Sequence, residues 1–195
     1  MVEIIFESHG TTTDNEKHLS SGSADVALSA LGERQAQELG ERYAAETFAA
    51  IFCSDLQRSY RTGEIAFQGR GIPILKDRRL RECDYGDLTQ HPSSEVDPAK
   101  LRHIDEPFPH GESYVQTTER MGDFLRNLFK EYDGKRVMII GHRATQYGLE
   151  HWINGVGVKD AVAAPWSWQP GWTYQLNQPL LKGGPESPRS GRGSG

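Results

Sequence analysis

The stretch Val2-Glu3-Ile4-Ile5-Phe6-Glu7-Ser8-His9-Gly10 joins a short apolar run to a polar turn that contains a histidine. Its first five residues are rich in β-formers, as in a strand buried inside a parallel sheet. Working outward along the chain, residues 49–53, 72–75 and 137–140 form the next short apolar runs. We therefore predict that the chain contributes buried strands at these four places.

Helical patterns lie between the apolar runs. The first predicted helix has five apolar or aromatic residues on one face, namely Leu28, Leu31, Ala36, Leu39 and Tyr43. Ser54 with Gln57, and Ser113 with Gln116, have the spacing of a capping box and predict helix starts at both places. Residues 114–132 have the clearest amphipathic period, and residues 144–154 also read as helical. Alternating strands and helices predict a three-layer α/β/α sandwich with a mostly parallel central sheet.

Length and composition indicate one domain. The chain has 195 residues, which suffice for one substantial core. From about residue 183 it consists mainly of Gly, Ser, Pro and Arg, which cannot bury a core. We predict a domain over residues 1–182 and a flexible tail over residues 183–195.

Charge and cysteine content narrow the functional classes. The net charge of -5 gives no reason to expect binding to nucleic acid or to an acidic membrane surface. Two cysteines, Cys53 and Cys83, do not make a disulfide framework. No signal peptide or membrane-spanning segment is visible in the sequence, so we expect a cytoplasmic protein. The sequence leaves the oligomeric state, including a homodimer, open.

Polar residues follow three of the predicted strands. Ser8-His9-Gly10 follows the first, residues 54–58 follow the second, and Gly141-His142-Arg143 follow the last. Parallel sheets bind ligands beyond the carboxyl ends of their strands, so we expect His9, Arg58 and His142 to converge there. A neutral imidazole is a good nucleophile near neutral pH, and a guanidinium fork fits phosphate oxygens. The pattern therefore favours phosphoryl transfer.

Five segments in order resemble the motifs of the histidine phosphatase superfamily, in the branch of phosphoglycerate mutases and small phosphatases. They are Ser8-His9-Gly10-Thr11, Ser54-Asp55-Leu56-Gln57-Arg58-Ser59-Tyr60-Arg61-Thr62, Leu80-Arg81-Glu82-Cys83-Asp84-Tyr85-Gly86, Pro109-His110-Gly111-Glu112-Ser113 and Val137-Met138-Ile139-Ile140-Gly141-His142. The resemblance runs from about residue 2 to residue 176 and implies a phosphoglycerate mutase-like fold.

The resemblance also implies roles for single residues. His9 would attack phosphorus, Glu82 would act as the general acid, and His142 would be the second active-site histidine. Arg58 corresponds to a phosphate-binding arginine, and Asn15 stands at the spacing of an asparagine near the phosphate. Thr11 is a further candidate donor to the phosphate. The implied function is hydrolysis of a small phosphorylated metabolite through a phosphohistidine, with neither a metal nor a cofactor.

One departure from the family's pattern concerns the residue before the nucleophile. Ser8 stands where the family has the arginine of Arg-His-Gly, and Glu7 precedes it where an apolar residue is usual. Losing a charged donor to a transition-state oxygen costs roughly 3 kcal/mol. A serine hydroxyl replaces only part of that, so we hypothesise that Arg143 enters the pocket and takes over phosphate charge.

The sequence leaves several alternative functions and side-chain roles open. A mutase would return the phosphoryl group to the substrate, although residues 87–111 look short for the insertion that such enzymes carry. A phosphate-binding or regulatory protein without turnover would fit the altered residues Glu7 and Ser8, and an enzyme with other chemistry on a phosphorylated metabolite is a third option. Arg143 is equally compatible with a solvent-facing side chain. The tryptophans in residues 165–172 suit core or lid packing better than stacking on a substrate ring.

Overall fold

The computed structural model describes residues 1–177, which form a five-stranded sheet with helices on both faces. The strands are β1 (Val2–Ser8), β2 (Ile51–Cys53), β3 (Ile74–Lys76), β4 (Arg136–Gly141) and β5 (Trp172–Leu176). The helices are α1 (Thr13–Glu16), α2 (Ala30–Arg42), α3 (Gln57–Phe67), α4 (Ser93–Ala99), α5 (Tyr114–Tyr132), α6 (Arg143–Asn154) and α7 (Val158–Ala163). Three-residue 3₁₀ turns occupy Arg78–Leu80, Gly86–Leu88 and Lys100–Arg102.

The sheet has the strand order β3-β2-β4-β1-β5. Strands β1 to β4 run parallel to their neighbours, and β5 pairs antiparallel with β1 at one edge. β1 and β4 are covered by neighbours and by both helical layers, which explains why their central residues are mainly apolar. The mostly parallel sheet confirms the predicted fold class.

Two apolar cores separate the sheet from the helical layers. On one face, Ile51 and Met138 pack in a cluster with Leu39 of α2 and Phe67 of α3. The opposite face directs neighbouring strand residues the other way, because successive side chains of a strand alternate. There Phe6, Phe52 and Ile139 belong to a cluster with residues of α5 and α6, including Leu125 and Leu149. The chain is therefore an α/β/α sandwich.

Helix starts were predicted correctly at one capping box and wrongly at the other. Ser113 caps α5, and its hydroxyl accepts a hydrogen bond from the backbone N–H of Gln116. α3 instead begins at Gln57 after Leu56, which makes no side-chain cap. Ser54 lies two residues before this N-cap, and its hydroxyl contacts His142 and the backbone N–H of Leu56 rather than that of Gln57.

Residues 81–111, which show little periodicity, build a compact subregion beside the sheet. Cys83, Tyr85, Val96 and Phe108 are buried there in a third apolar cluster. Strand β5 and the short helices α1, α4 and α7 lack a strong sequence pattern and were not predicted. None of the helices within residues 1–177 is both long and apolar enough to cross a bilayer. The predicted domain end at residue 182 and the predicted tail lie outside the described residues, so both stay predictions.

Candidate active site

Strand register brings the two predicted histidines together. Ser8 of β1 is paired with Gly141 of β4, so His9 and His142 leave the sheet side by side at its carboxyl edge. The backbone N–H of His9 donates to the carbonyl oxygen of Gly141 over 3.1 Å and holds the two strand ends together. The imidazole centroids are 5.0 Å apart, and the rings are inclined at 58°.

The imidazole of His9 is held in one tautomer. Its Nδ1 lies 2.7 Å from the carbonyl oxygen of Gly10, which can only accept a hydrogen bond, so Nδ1 carries the proton. Burial and the nearby charge of Arg58 lower the pKa of His9 to about 3. The ring is therefore neutral at physiological pH, and its Nε2 retains a free lone pair.

His142 lies deeper than His9 and has one unpaired nitrogen. Its Nε2 is 2.8 Å from the hydroxyl oxygen of Ser54, which follows β2. Its Nδ1 is buried and has no hydrogen-bond partner among the described residues. Burial, together with the charge of Arg58, lowers the pKa of His142 well below its usual value. A buried unpaired nitrogen is costly, and His142 is one of the residues that line a large cavity.

Arg58 is the most deeply buried cation at this edge of the sheet. It stands in the first turn of α3 and is only 2% exposed. Two of its N–H groups donate to backbone carbonyl oxygens, to Ala24 over 2.6 Å and to Gly22 over 2.7 Å. A guanidinium has five N–H donors, so three remain for other acceptors. The two carbonyl bonds fix the fork in place, and its positive charge faces both imidazoles.

Arg78, Arg79 and Arg81 lie close to Glu82 in the sequence, and two of them are paired with other carboxylates in the structure. Arg81 makes two hydrogen bonds of 2.7 Å to the carboxylate of Asp55. Arg79 is paired with Asp77 at 2.6 Å. The carboxylate of Glu82 instead accepts a hydrogen bond of 2.7 Å from the backbone N–H of Cys83 and lines the same cavity as His9.

The loop after His9 packs very closely against the start of α2. A side chain on either Gly10 or Gly32 would overlap backbone atoms of the other segment, so glycine is required at both positions. The backbone N–H of Gly10 donates to Thr62 of α3, and that of Thr11 donates to Gln35 of α2. These contacts hold the loop of residues 9–11 against two helices.

Three predicted site residues differ in how their side chains are held, namely Asn15, Ser8 and Arg143. The side-chain oxygen of Asn15 caps α1 by accepting from the backbone N–H of Thr12, so only its amide nitrogen can serve a ligand. Ser8 ends β1, and its side chain is partly exposed to the cavity. Arg143 begins α6, is exposed, and holds its guanidinium carbon 4.7 Å from the ring centre of Trp166.

All eight predicted site residues line a single cavity of about 730 Å³. They are Ser8, His9, Thr11, Asn15, Arg58, Glu82, His142 and Arg143. A neutral imidazole nucleophile, a fixed guanidinium and a carboxyl group within one hollow are the groups that phosphoryl transfer to a side chain requires. The cavity falls in the size range of small-molecule sites and far exceeds the volume of one phosphate.

The histidine phosphatase superfamily (branch 1) matches residues 4–166 of the sequence. The chain belongs to this superfamily. The phosphatase PhoE of Bacillus subtilis, described as uncharacterized, is 32% identical over 155 residues, which are 80% of this chain and 79% of that protein. A probable phosphoglycerate mutase, GpmB of Klebsiella pneumoniae, is 33% identical over 150 residues, which are 73% of this chain and 70% of that protein.

Solved structures share the architecture of this histidine phosphatase superfamily member. YhfR of Bacillus stearothermophilus superposes with a TM-score of 0.81 at 25% identity, over 92% of this chain and 94% of that chain. A mycobacterial glucosyl-3-phosphoglycerate phosphatase, solved with VO3, has a TM-score of 0.74 at 25% identity, over 84% of this chain and 87% of that chain. The relatives of this superfamily member thus include proteins named as phosphatases and as mutases.

Two contributors to the site of this superfamily member were not predicted from the sequence. Ser54 was interpreted as a helix cap, and no local pattern indicates its bond to His142. Glu7 was noted only as a departure, yet its carboxylate is buried and accepts a 2.8 Å hydrogen bond from Tyr43. Arg42 lies 3.4 Å from the same carboxylate. Burial raises the pKa of Glu7, although the bonds from Tyr43 and Arg42 lower it in part.

Proposed function

We propose that the chain hydrolyses phosphate monoesters through a phosphohistidine formed on His9. The observation that carries this proposal is the neutral, Nδ1-protonated imidazole of His9, whose free Nε2 lies in one cavity with Arg58 and Glu82. Membership of the histidine phosphatase superfamily supports the same chemistry. The name of the Bacillus subtilis relative supports a phosphatase in particular.

The first chemical step forms a bond between nitrogen and phosphorus. Nε2 of His9 gives its lone pair to phosphorus while the bond from phosphorus to the ester oxygen breaks. The carboxyl group of Glu82 supplies its proton to that leaving oxygen, so the alcohol departs neutral. His9 then carries the phosphoryl group, and Glu82 is a carboxylate.

The second step returns the enzyme to its starting state. Glu82 takes a proton from a water molecule whose oxygen attacks phosphorus, and the bond between nitrogen and phosphorus breaks. Inorganic phosphate leaves, His9 regains its lone pair and Glu82 is again protonated. No group outside the chain, the substrate and water is consumed.

Charge on the transferring phosphoryl group is held by donors around the cavity. Arg58 has three N–H groups beyond those that bond Gly22 and Ala24, and Nδ1 of His142 has no partner among the described residues. Further donors are assigned, by their place in the cavity, to Ser8, Thr11, Asn15 and Arg143. Fixed donors of this kind stabilise developing charge without having to reorganise.

A quench-flow experiment tests the proposal. The wild-type protein should release inorganic phosphate from p-nitrophenyl phosphate and accumulate protein-bound phosphate that is labile in acid and stable in base. His9→Ala should do neither, while its circular dichroism stays that of the wild type. Phosphate release that survives in His9→Ala would overturn the proposal.

The role of Glu82 has a separate test. Loss of a general acid costs about 10²- to 10⁴-fold in rate when the leaving group needs a proton. Glu82→Gln should therefore lower kcat/KM for an alkyl phosphate by that factor and lower it much less for p-nitrophenyl phosphate, because kcat/KM reports the phosphorylation step and p-nitrophenolate leaves without a proton. Equal losses of kcat/KM on both substrates would exclude Glu82 as the acid.

Two other functions have some support and predict different products. The relative from Klebsiella pneumoniae is named a probable phosphoglycerate mutase, and a mutase would yield an isomerised ester in place of inorganic phosphate. Ser8 and Glu7, which leave the end of β1 without a cation, favour a binding protein that has lost turnover. Such a protein would bind phosphate esters, yet accumulate no phosphohistidine.

A further inference from the structure

The cavity extends well beyond the groups that would hold a phosphate. One end of it is lined by the carboxyl half of α2 and by the segment in front of β5. Residues at that end include Glu38, Leu39, Arg42, Trp166 and Trp168. A substrate that reacts at His9 has its alcohol part available to contact these residues, which comprise three apolar or aromatic side chains, one guanidinium and one carboxylate.

Trp168 is the exposed aromatic side chain at this end. It is 55% exposed, although it lines a concave surface, and the guanidinium carbon of Arg42 lies 5.7 Å from its ring centre. Trp166 lies beside it with Arg143 over its ring. Two arginine–tryptophan pairs thus line the cavity, and more than half of the Trp168 surface is exposed within the described residues. Small-molecule sites typically combine exposed aromatic rings with a few fixed polar groups.

The surroundings of Trp168 are held firmly in place. The indole N–H of Trp166 donates to Gln146 over 2.9 Å, and the ring of Trp166 stacks on Trp172 of β5. On the other side, the buried carboxylate of Glu7 lies beside Gly171 and also faces Arg42. Glu7 therefore links Arg42, whose guanidinium lies over the ring of Trp168, to the end of β1. Glu7 is only two positions before His9.

We propose that Trp168 and Arg42 form a subsite for a planar aromatic or heteroaromatic ring in the alcohol part of the substrate. This inference rests on the proposed function, because it takes the phosphate of the same molecule to lie at His9. A ring stacks on the indole face of Trp168, and its π-electrons also attract the guanidinium of Arg42. A saturated alcohol of equal size makes the apolar contact but gains neither the stacking on Trp168 nor the attraction to the guanidinium of Arg42.

Matched pairs of esters isolate the aromatic contribution. Benzyl, 2-phenylethyl and 3-phenylpropyl phosphate are each compared with the ester whose ring is cyclohexyl, so that leaving-group reactivity and size stay nearly equal within a pair. At least one pair should show a kcat/KM ratio of roughly three- to tenfold in favour of the aromatic ester. Trp168→Leu should bring that ratio close to one, and Trp168→Phe should restore most of it.

Controls separate this inference from the proposed function. Leu75→Ala removes another exposed apolar side chain, in β3 at the opposite edge of the sheet, and should leave every ratio unchanged. Calorimetric binding of the same esters to His9→Ala protein measures the preference without turnover. If turnover is absent but binding prefers aromatic esters and loses that preference with Trp168→Leu, the hydrolase proposal is overturned and the subsite proposal stands. Ratios near one in the wild type, or ratios unaltered by Trp168→Leu, overturn the subsite.

Discussion

The hydroxyl oxygen of Ser54 lies 2.8 Å from Nε2 of His142, and this contact sets which nitrogen of the ring carries the proton. The same hydroxyl oxygen also accepts a long hydrogen bond from the backbone N–H of Leu56. We expect the hydroxyl to donate its proton to Nε2. That arrangement places the proton of the neutral His142 ring on Nδ1, the buried nitrogen that is unpaired within the described residues.

Removing the Ser54 hydroxyl should release that tautomer. We expect Ser54→Ala to reduce kcat by about three- to tenfold, the usual worth of one hydrogen bond. Nitrogen-15 NMR should show His142 protonated at Nδ1 in the wild type and a mixture of tautomers in Ser54→Ala. Ser94→Ala, at an exposed position of α4, is the matched control. A wild-type His142 protonated at Nε2 would contradict the assignment.

The residues that converge were predictable because the sheet is parallel. His9, Arg58 and His142 each follow an apolar run, and the carboxyl ends of neighbouring parallel strands meet at one edge. Apolar periodicity therefore sufficed to place three charged or titratable side chains together. The order β2-β4-β1 within the sheet then makes them direct neighbours.

Contacts between distant segments were not predictable in this way. Arg81 is next to Glu82 in the sequence, and its positive charge would oppose the role of Glu82 as a proton donor. In the structure, Arg81 is instead bonded to Asp55, which is 26 positions away. Capping-box spacing is a local pattern, whereas the hydroxyl of Ser54 contacts His142, which follows a neighbouring strand. Trp168 carries no pattern at all, because its exposure depends on how the segment before β5 lies against α2.

Acidification should leave His9 neutral over a wide range. Burial and the charge of Arg58 hold its pKa near 3, so the ring stays unprotonated from pH 8 to pH 4. An NMR titration, with His9→Ala used to assign the signal, should show no transition of His9 near pH 6.5. Any acid branch of kcat/KM above pH 4 then belongs to the substrate or to another group. A His9 signal with a midpoint near 6.5 would refute the buried, neutral nucleophile.

The same pKa shift predicts a pH-dependent loss of stability. Above pH 6.5, His9 is neutral in both the folded and the unfolded chain and has no differential effect. Below pH 6.5 the unfolded chain takes up a proton at His9 that the folded chain rejects until about pH 3, so the free energy of unfolding falls. The contribution of one such group is about 1.4 kcal/mol per pH unit.

Urea unfolding of the wild type and of His9→Ala between pH 7.5 and pH 4.5 measures this contribution. The difference between the two free energies should be constant above pH 6.5 and should shift against the wild type by the stated slope below it. His142 is present in both proteins and contributes to both curves with the same sign. Parallel curves over the whole range would show that His9 is not held neutral.

A double-mutant cycle tests whether Arg143 offsets the missing arginine at Ser8. Both residues line the cavity, and the guanidinium of Arg143 lies over the ring of Trp166. Arg143→Ala should lower kcat by about a hundredfold, the cost of one charged donor, and Ser8→Arg should raise it by up to the same factor. If the two cations serve the same oxygens, Arg143→Ala in the Ser8→Arg background should cost less than about threefold.

The control for the cycle is Arg61→Ala. Arg61 is an exposed arginine paired with Glu64 on α3, and it does not line the cavity. Its loss should leave kcat unchanged in both backgrounds, which separates a local effect of Arg143 from a general effect of net charge. Equal costs of Arg143→Ala with Ser8 and with Arg at position 8 would mean that the two sites act independently. In that case Arg58 and the unpaired nitrogen of His142 must carry the phosphoryl charge without help from Arg143.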